Sequence, residues 1–213
     1  MRLLTDFLLV FIVTIPCITR GADTEVGATG GFGFYQDVTV TNSSGTAQAG
    51  FGPRFVLGGV AGRNWGEHLG VEGRYTFQDG DLALRSQGRE ANLDGDAQSV
   101  LGEVLLYANS KESRFRVFAA GGFGVKIYQG TQLITGPRPL SDFATLDKAS
   151  QACPLITFGG GIKYALSPRW TVRLDLRDYA TPFPTGVITP APGARIGGWL
   201  HDIVPTLGIS RTF

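Results

Sequence analysis

Short stretches that alternate apolar and polar residues recur along this chain from Val26 to Phe213, and none of them approaches the 18 consecutive apolar residues of a membrane-crossing helix. A repeat of two is the signature of a strand, whose successive side chains point to opposite faces. There are eight such stretches: 26–37, 48–60, 69–78, 98–107, 115–128, 155–165, 170–179 and 202–213.

The two faces differ in kind. In the seventh stretch Trp170, Val172, Leu174 and Leu176 oppose Thr171, Arg173, Asp175, Arg177 and Tyr179. In the third, Leu69, Val71, Tyr75 and Phe77 oppose Glu72, Arg74, Thr76 and Gln78. The eighth sets Ile203, Leu207, Ile209 and Phe213 against Asp202, Thr206, Gly208, Ser210 and Thr212. One face is wide, apolar and aromatic, while the other carries glycine and charges of both signs. Lipid outside and a narrow polar interior fit this set better than a soluble sandwich, whose apolar faces would share one core. Strand edges left open in hydrocarbon expose N–H and C=O groups at a cost of several kcal/mol each, so the ring must close. The fold class expected is therefore all-β, an eight-stranded antiparallel up-and-down transmembrane β-barrel whose interior side chains just fill it. Gly27, Gly31, Gly33, Gly58, Gly122, Gly124, Gly159 and Gly161 fall on the inward face, where they make room for long charged neighbours.

Connection lengths orient the barrel. Short links at 61–68, 108–114 and 166–169 alternate with long ones at 38–47, 79–97, 129–154 and 180–201. Outer-membrane barrels have short periplasmic turns and long external loops, so both chain ends lie on the periplasmic side. Residues 82–85 and 91–93 alternate about Gly88, which predicts a ribbon extending strands three and four above the membrane. Four prolines between 182 and 192 argue against a regular strand in the last long loop. Trp65, Phe115, Trp170 and Phe213 are placed at the periplasmic interface, and Phe34, Phe51, Phe77 and Phe183 at the outer one, as an aromatic girdle.

The first residues supply the route. Arg2, an apolar centre at 7–15 and small residues near Ala22 have the order of an export signal, so residues 1–22 are expected to be removed and 23–213 to form the barrel. Cys17 lacks the small residues a lipid-attachment site needs before it. Cys153 is then the single thiol, which excludes an internal disulfide and a zinc site built from cysteines. Charged residues are only 17% of the chain and the formal net charge is +1, with no basic run, so a nucleic-acid partner is not expected.

With these features the chain resembles the broad family of small outer-membrane β-barrels of Gram-negative-type envelopes, over everything after the leader. The resemblance is carried by Gly159-Gly160-Gly161-Ile162-Lys163-Tyr164-Ala165-Leu166-Ser167-Pro168-Arg169-Trp170, by Arg173 to Tyr179 and by the end, Leu207-Gly208-Ile209-Ser210-Arg211-Thr212-Phe213. It implies that Leu207, Ile209 and Phe213 act as an assembly signal read by the barrel assembly machinery. Arg211 departs from the pattern, where an apolar residue is usual, and Pro205 is a further irregularity. Other implied partners are outer-membrane lipids and an unknown extracellular partner, and a monomer is expected. Members of the family include adhesins, structural proteins, ligand binders and a few lipid-modifying enzymes, so the fold alone assigns no activity.

The candidate functional set is an inward ion-pair network of Arg54, Glu72, Arg74, Glu103, Arg116, Lys126, Lys163, Arg173, Asp175 and Arg177. Seven basic and three acidic groups cannot all pair among themselves, so some basic groups are expected to meet loop carboxylates or a wet lumen. The network reads as a rigid plug, or alternatively as a narrow, porin-like path for small solutes gated by exchangeable ion pairs. A third reading, a lipid A acyl-modifying enzyme, needs a histidine, a serine and an acid together on a lipid-facing surface. His68 and His201, with Asp202, are poor material for it. Gly30-Gly31-Phe32-Gly33 and Gly121-Gly122-Phe123-Gly124 lack the Lys-Ser/Thr ending of a phosphate loop. Asp79, Asp81, Asp94 and Asp96 match no calcium-loop spacing. No cofactor, metal or catalytic residue is expected.

Overall fold

The computed structural model describes residues 24–43, 45–130 and 140–213. The expected leader, residues 1–22, lies outside them, as does the middle of the third long connection, 131–139. In chain order the strands are β1 (Thr24–Tyr35), β2 (Val38–Asn42), β3 (Gly45–Phe51), β4 (Arg54–Trp65), β5 (Leu69–Asp79), β6 (Leu82–Ser86), β7 (Arg89–Leu93) and β8 (Gly95–Tyr107). They continue as β9 (Phe115–Gly130), β10 (Ala144–Leu146), β11 (Ser150–Ala165), β12 (Trp170–Pro182), β13 (Ile188–Pro190), β14 (Arg195–Ile196) and β15 (Trp199–Thr212).

Eight of these close into one antiparallel ring, β1-β15-β12-β11-β9-β8-β5-β4, with β4 returning to β1. Each barrel strand pairs with the barrel strands before and after it in the chain, and β15 seals against β1 over Glu25↔Thr212 to Tyr35↔Asp202. No edge is left open, as hydrocarbon requires. Alternation then sorts the residues. Outward positions include Phe123, Leu207 and Leu106, exposed at 79%, 61% and 59%, while inward ones such as Arg173, Asp175 and Lys126 are buried to 1% or less. This is the inverse of a soluble protein.

Several sequence expectations need correction. The second predicted strand, 48–60, is two strands. β3 ends at Phe51 and β4 begins at Arg54, because Pro53 has no donor for a ladder and the alternation slips phase across Gly52-Pro53. Buried positions run Ala47, Ala49, Phe51 before that dipeptide and Arg54, Val56, Val60 after it. The first periplasmic link is shorter than 61–68, since β4 runs on to Trp65 and the chain turns through Gly66 at φ 63°. The last strand starts at Trp199 rather than Asp202. Pro205 sits inside β15, where the β1 pairing jumps from Gly31↔Thr206 to Phe34↔Ile203.

The inward glycines also act differently from expectation at several positions. A Cβ on Gly122 would collide with the carbonyl oxygen of Gly102 on β8, so there the room is for a neighbouring backbone curling inward. At Gly33 a Cβ would meet Asp202 Oδ1 at 2.8 Å and Gln78 Nε2 at 2.9 Å, so there the room is indeed for polar side chains.

Above the barrel the described residues of the long loops form further strands. One sheet takes strands from three of them in the order β14-β2-β3-β6-β7, and β10 pairs with β13 to tie the third loop to the fourth. The hairpin of β6 and β7 turns at Gln87 (φ 47°) and Gly88 (φ 77°), the left-handed pair of a two-residue turn. It continues the β5–β8 ladder in the same register, from Asp79↔Asp96 through Gly80 N to the Gly95 carbonyl and on to Leu82↔Leu93, as the ribbon expected above the membrane. The other edge of β6 also docks on β3 of the first loop, through Gln48↔Arg85 to Phe51↔Leu82. The last loop does contain strands, but its prolines limit β13 to three residues and β14 to two. All four loops contribute to one apolar core that includes Val40, Phe51, Leu82, Leu84, Leu140, Phe143, Phe183 and Ile188. Phe51 and Phe183 therefore belong to this cap and not to the outer girdle, where Phe34 is joined by Phe32, Phe55 and Trp199. Trp65, Phe115, Trp170 and Phe213 are exposed on the lower part of the barrel wall.

Two outcomes follow for the folded protein. Gly122→Ala, which adds the colliding Cβ, is expected to cost about 1–3 kcal/mol as core overpacking does, and Gly102→Ala, where a Cβ meets nothing within 4 Å, to cost little. The fraction of fast-migrating folded protein on unboiled gels along a urea series measures both. Ile188→Ala, emptying a fully buried cap position, is expected to destabilise the cap by about 2–5 kcal/mol. External protease should then clip the loops while the barrel still shows its heat-dependent gel shift.

Candidate functional site

Strand parity delivers charge to the lumen at three levels. At the centre, β5 supplies Glu72 and Arg74, β8 supplies Glu103, and β12 supplies Arg173, Asp175 and Arg177. Arg173 grips Glu72 with both ends of its fork, Nη1 to Oε2 at 2.7 Å and Nη2 to Oε1 at 3.0 Å, and reaches Asp175 Oδ2 through Nε at 2.9 Å. Arg177 grips Glu103 the same way, through Nε at 2.9 Å and Nη2 at 3.3 Å, and its Nη1 donates to the carbonyl of Gly160 at 2.8 Å. Arg74 ties the two halves together, with Nη2 at 2.9 Å from Glu72 and 3.1 Å from Asp175 and Nε at 3.6 Å from Glu103. Three cations face three anions. Paired forks of this kind are the form in which buried charge is tolerated, because most donors and lone pairs are used.

Towards the periplasm, Lys163 Nζ lies 2.6 Å from Glu25 Oε2 and donates to Tyr107 Oη at 3.0 Å, while Ser210 Oγ donates to Glu25 Oε1 at 2.6 Å. Arg116 sits lower, stacked 3.6 Å over the Tyr107 ring and donating to the Glu67 carbonyl in the first turn at 2.8 Å. Towards the outside, Lys126 Nζ lies 2.6 Å from Asp202 Oδ2, and Gln78 Nε2 donates to the same oxygen at 2.8 Å. Rings of Tyr35, Tyr128 and Tyr179 surround the ammonium at 4.8–5.5 Å, distances at which cation–π attraction acts. Arg54 is fully buried beside them.

Apolar residues separate these levels. Val56, Leu101, Leu155, Tyr179 and Val204 form one cluster. On the descending strands β4 and β15, Val56 and Val204 are one inward step below Arg54 and Asp202. On β8 and β12, Leu101 and Tyr179 are one inward step above Glu103 and Arg177. A second cluster, Leu105, Tyr107, Phe118 and Ala120, packs near the lower ion pair.

All ten residues of the predicted network thus line the lumen, but their partners include two that the sequence reading left out. Glu25 stood just before the predicted start of the first strand, although it shares the parity of inward Gly27. Asp202 is on the polar face of the last strand, at its predicted first residue. Of the four basic groups left over from the predicted set, Lys126 and Lys163 meet carboxylates on strands, while Arg116 and Arg54 donate to backbone carbonyls. His201 and Asp202, being adjacent, face opposite ways. His201 Nδ1 lies 2.8 Å from Asp178 Oδ2, on the outer wall near the external rim. His68 is in the first periplasmic turn, at the other end of the barrel. Among the described residues no serine or threonine hydroxyl bonds to His201, and no three metal-ligating side chains gather. Leu207, Ile209 and Phe213 point outward, with the Arg211 guanidinium 5.0 Å from the Phe213 ring and 5.9 Å from that of Trp170. Stacking on these rings explains how Arg211 is accommodated on an apolar face.

Comparison with known proteins agrees with this geometry. Residues 7–186 match the model of the outer membrane protein beta-barrel domain. No curated protein matches the chain in sequence. In structure it is similar to OprG from Pseudomonas aeruginosa, with a TM-score of 0.58 at 13% identity over 89% of this chain and 95% of that one. It is also similar to Neisserial surface protein A, at 0.53 and 11% over 90% and 97%. A major outer membrane protein from Thermus thermophilus scores 0.52 at 16% over 91% and 100%. These likenesses are of fold. The chain belongs to the outer membrane protein beta-barrel domain family, and its place is the outer membrane.

Proposed function

We propose that this protein is a non-enzymatic, non-conducting barrel that anchors a rigid extracellular cap, and that the cap surface contacts lipopolysaccharide or another partner outside the cell. The observation that carries this reading is the merging of all four external loops into one β-structured cap with its own core, above a lumen crossed by apolar layers. A channel would need a continuous wet path, and bidentate forks on Glu72 and Glu103 oppose one. An enzyme of the lipid A acyl-modifying kind would need a nucleophile beside Asp178 and His201. On the cap, an open cleft of about 650 Å³ runs between Thr46 and Gln48 on one side and Arg85, Arg89 and Glu90 on the other, and is the natural contact surface.

The same reading includes processing after residue 21 or 22, delivery by the barrel assembly machinery through Leu207, Ile209 and Phe213, and a monomeric barrel.

Reconstituted in planar bilayers, the protein is expected to stay at lipid background, and Glu103→Gln to destabilise the barrel without opening it. A reproducible unitary conductance that changes in Glu103→Gln would overturn the sealed-lumen reading. For the cap, Arg85→Glu with Arg89→Glu is expected to reduce photocrosslinking of whole cells from a probe at position 48 by about tenfold, equivalent to roughly 1.4 kcal/mol. Unchanged crosslinking, with the gel shift intact, would remove the cleft as the contact surface.

A further inference from the structure

We infer that the outer chamber of the lumen, beneath the cap, is a binding site for one small monovalent anion held by Arg54. The other cations of the lumen have partners. The central layer balances three against three, Lys163 has Glu25, Lys126 has Asp202, and Arg116 reaches the periplasmic turn. Arg54 alone is fully buried with no carboxylate oxygen within 4 Å among the described residues. Its one hydrogen bond runs from Nη1 to the Gln78 carbonyl at the long distance of 3.5 Å.

The two nitrogens left without a partner are Nε and Nη2. They form one edge of the planar guanidinium fork, the edge that grips a carboxylate or other anion through parallel N–H bonds. The flat face of the same group is occupied by the Phe51 ring at 4.7 Å and the Tyr35 ring at 5.6 Å. Cation–π contacts hold the group in place but carry no negative charge. Water satisfies donors and likewise leaves the charge uncompensated, and a buried charge without a counter-charge is the costly case.

Charge counting sets the valence. Arg54 and Lys126 share one lumenal carboxylate, Asp202, whose Oδ2 is engaged by Lys126 and Gln78 and neither of whose oxygens lies within 4 Å of Arg54. One negative charge closes the balance. Asp96 is the alternative within the chain, but it opposes Asp79 at the rim with the reverse parity to inward Ala97. Phe51 of the cap core packs on the guanidinium and Val56 lies one inward step below Arg54, and the occupant proposed between them is a small anion such as a halide or formate.

The test folds the protein in bromide, in formate or in gluconate at equal ionic strength and follows thermal loss of the folded gel band. Bromide and formate are expected to raise the midpoint over gluconate in the native protein and in Asp96→Asn, and to have no such effect in Arg54→Gln, whose apparent affinity falls at least about tenfold. Equal anion dependence in native and Arg54→Gln protein would overturn the site. So would an anion dependence that is absent from the native protein and appears in Asp96→Asn, which would make Asp96 the counter-charge. Should Arg54→Gln fail to fold, anomalous scattering from bromide-grown crystals of the native protein decides. A peak beside Nε and Nη2 supports the site, and its absence at a bromide concentration that shifts the midpoint overturns it. None of these readouts depends on what the cap contacts.

Discussion

Everything in this molecule depends on satisfying backbone polar groups where no water is available. Hydrocarbon leaves an unpaired N–H or C=O with no partner at all, so a strand that crosses it must be paired on both sides. Closure of β1 on β15 meets that demand and has a second effect, since it reverses the usual arrangement of a protein. The apolar side chains go outside, and the interior must take the polar residues that alternate with them. An eight-stranded ring is too narrow to hydrate those residues freely. They have to solvate one another.

That explains why the lumen is built from arginine forks. Glu72 and Glu103 each receive a bidentate guanidinium, and Arg74 lies between them, so the central layer replaces water with a fixed set of donors. Such an arrangement contributes less to net stability than its bond count suggests, because every charge had to be taken out of water first. Its value is geometric. It fixes which inward residue faces which, and so resists a two-residue slip of β12, which would keep every side chain on its own face but part Arg177 from Glu103.

The ring itself was legible from alternation, because one constraint acts on every residue of a spanning strand and leaves a period that can be counted. Strand ends and loops were less so. At Gly52-Pro53 the phase slip is present in the residues, yet a continuous run of small and apolar side chains conceals it, and alternation alone predicts one strand where there are two. Glu25 and Asp202 escaped the candidate network for a similar reason, since each stood at a predicted end where parity was not followed one step further. Of the cap, the ribbon of β6 and β7 was legible from alternation about Gly88, and the rest was not. Its pairings join β3 to β6 and β10 to β13, segments from different loops, and nothing local in Gln48 or Arg85 announces the other. Phe51 and Phe183 show the cost of that blindness, because an aromatic near a strand end looks the same whether it meets lipid or a second core.

A cap with its own core also bears on the role proposed for the barrel. Loops that only connect strands need no buried Leu82, Leu84 or Ile188, and in water they would not keep them. Here these residues join all four loops, so the external surface is held in one shape by contacts that owe nothing to lipid. The ion pairs below hold the strand ends from which those loops spring. Rigidity at the outer surface is thus prepared twice, by an apolar core above and a polar one beneath. That double support is what the proposed presenting role requires, since a conduit would gain from neither.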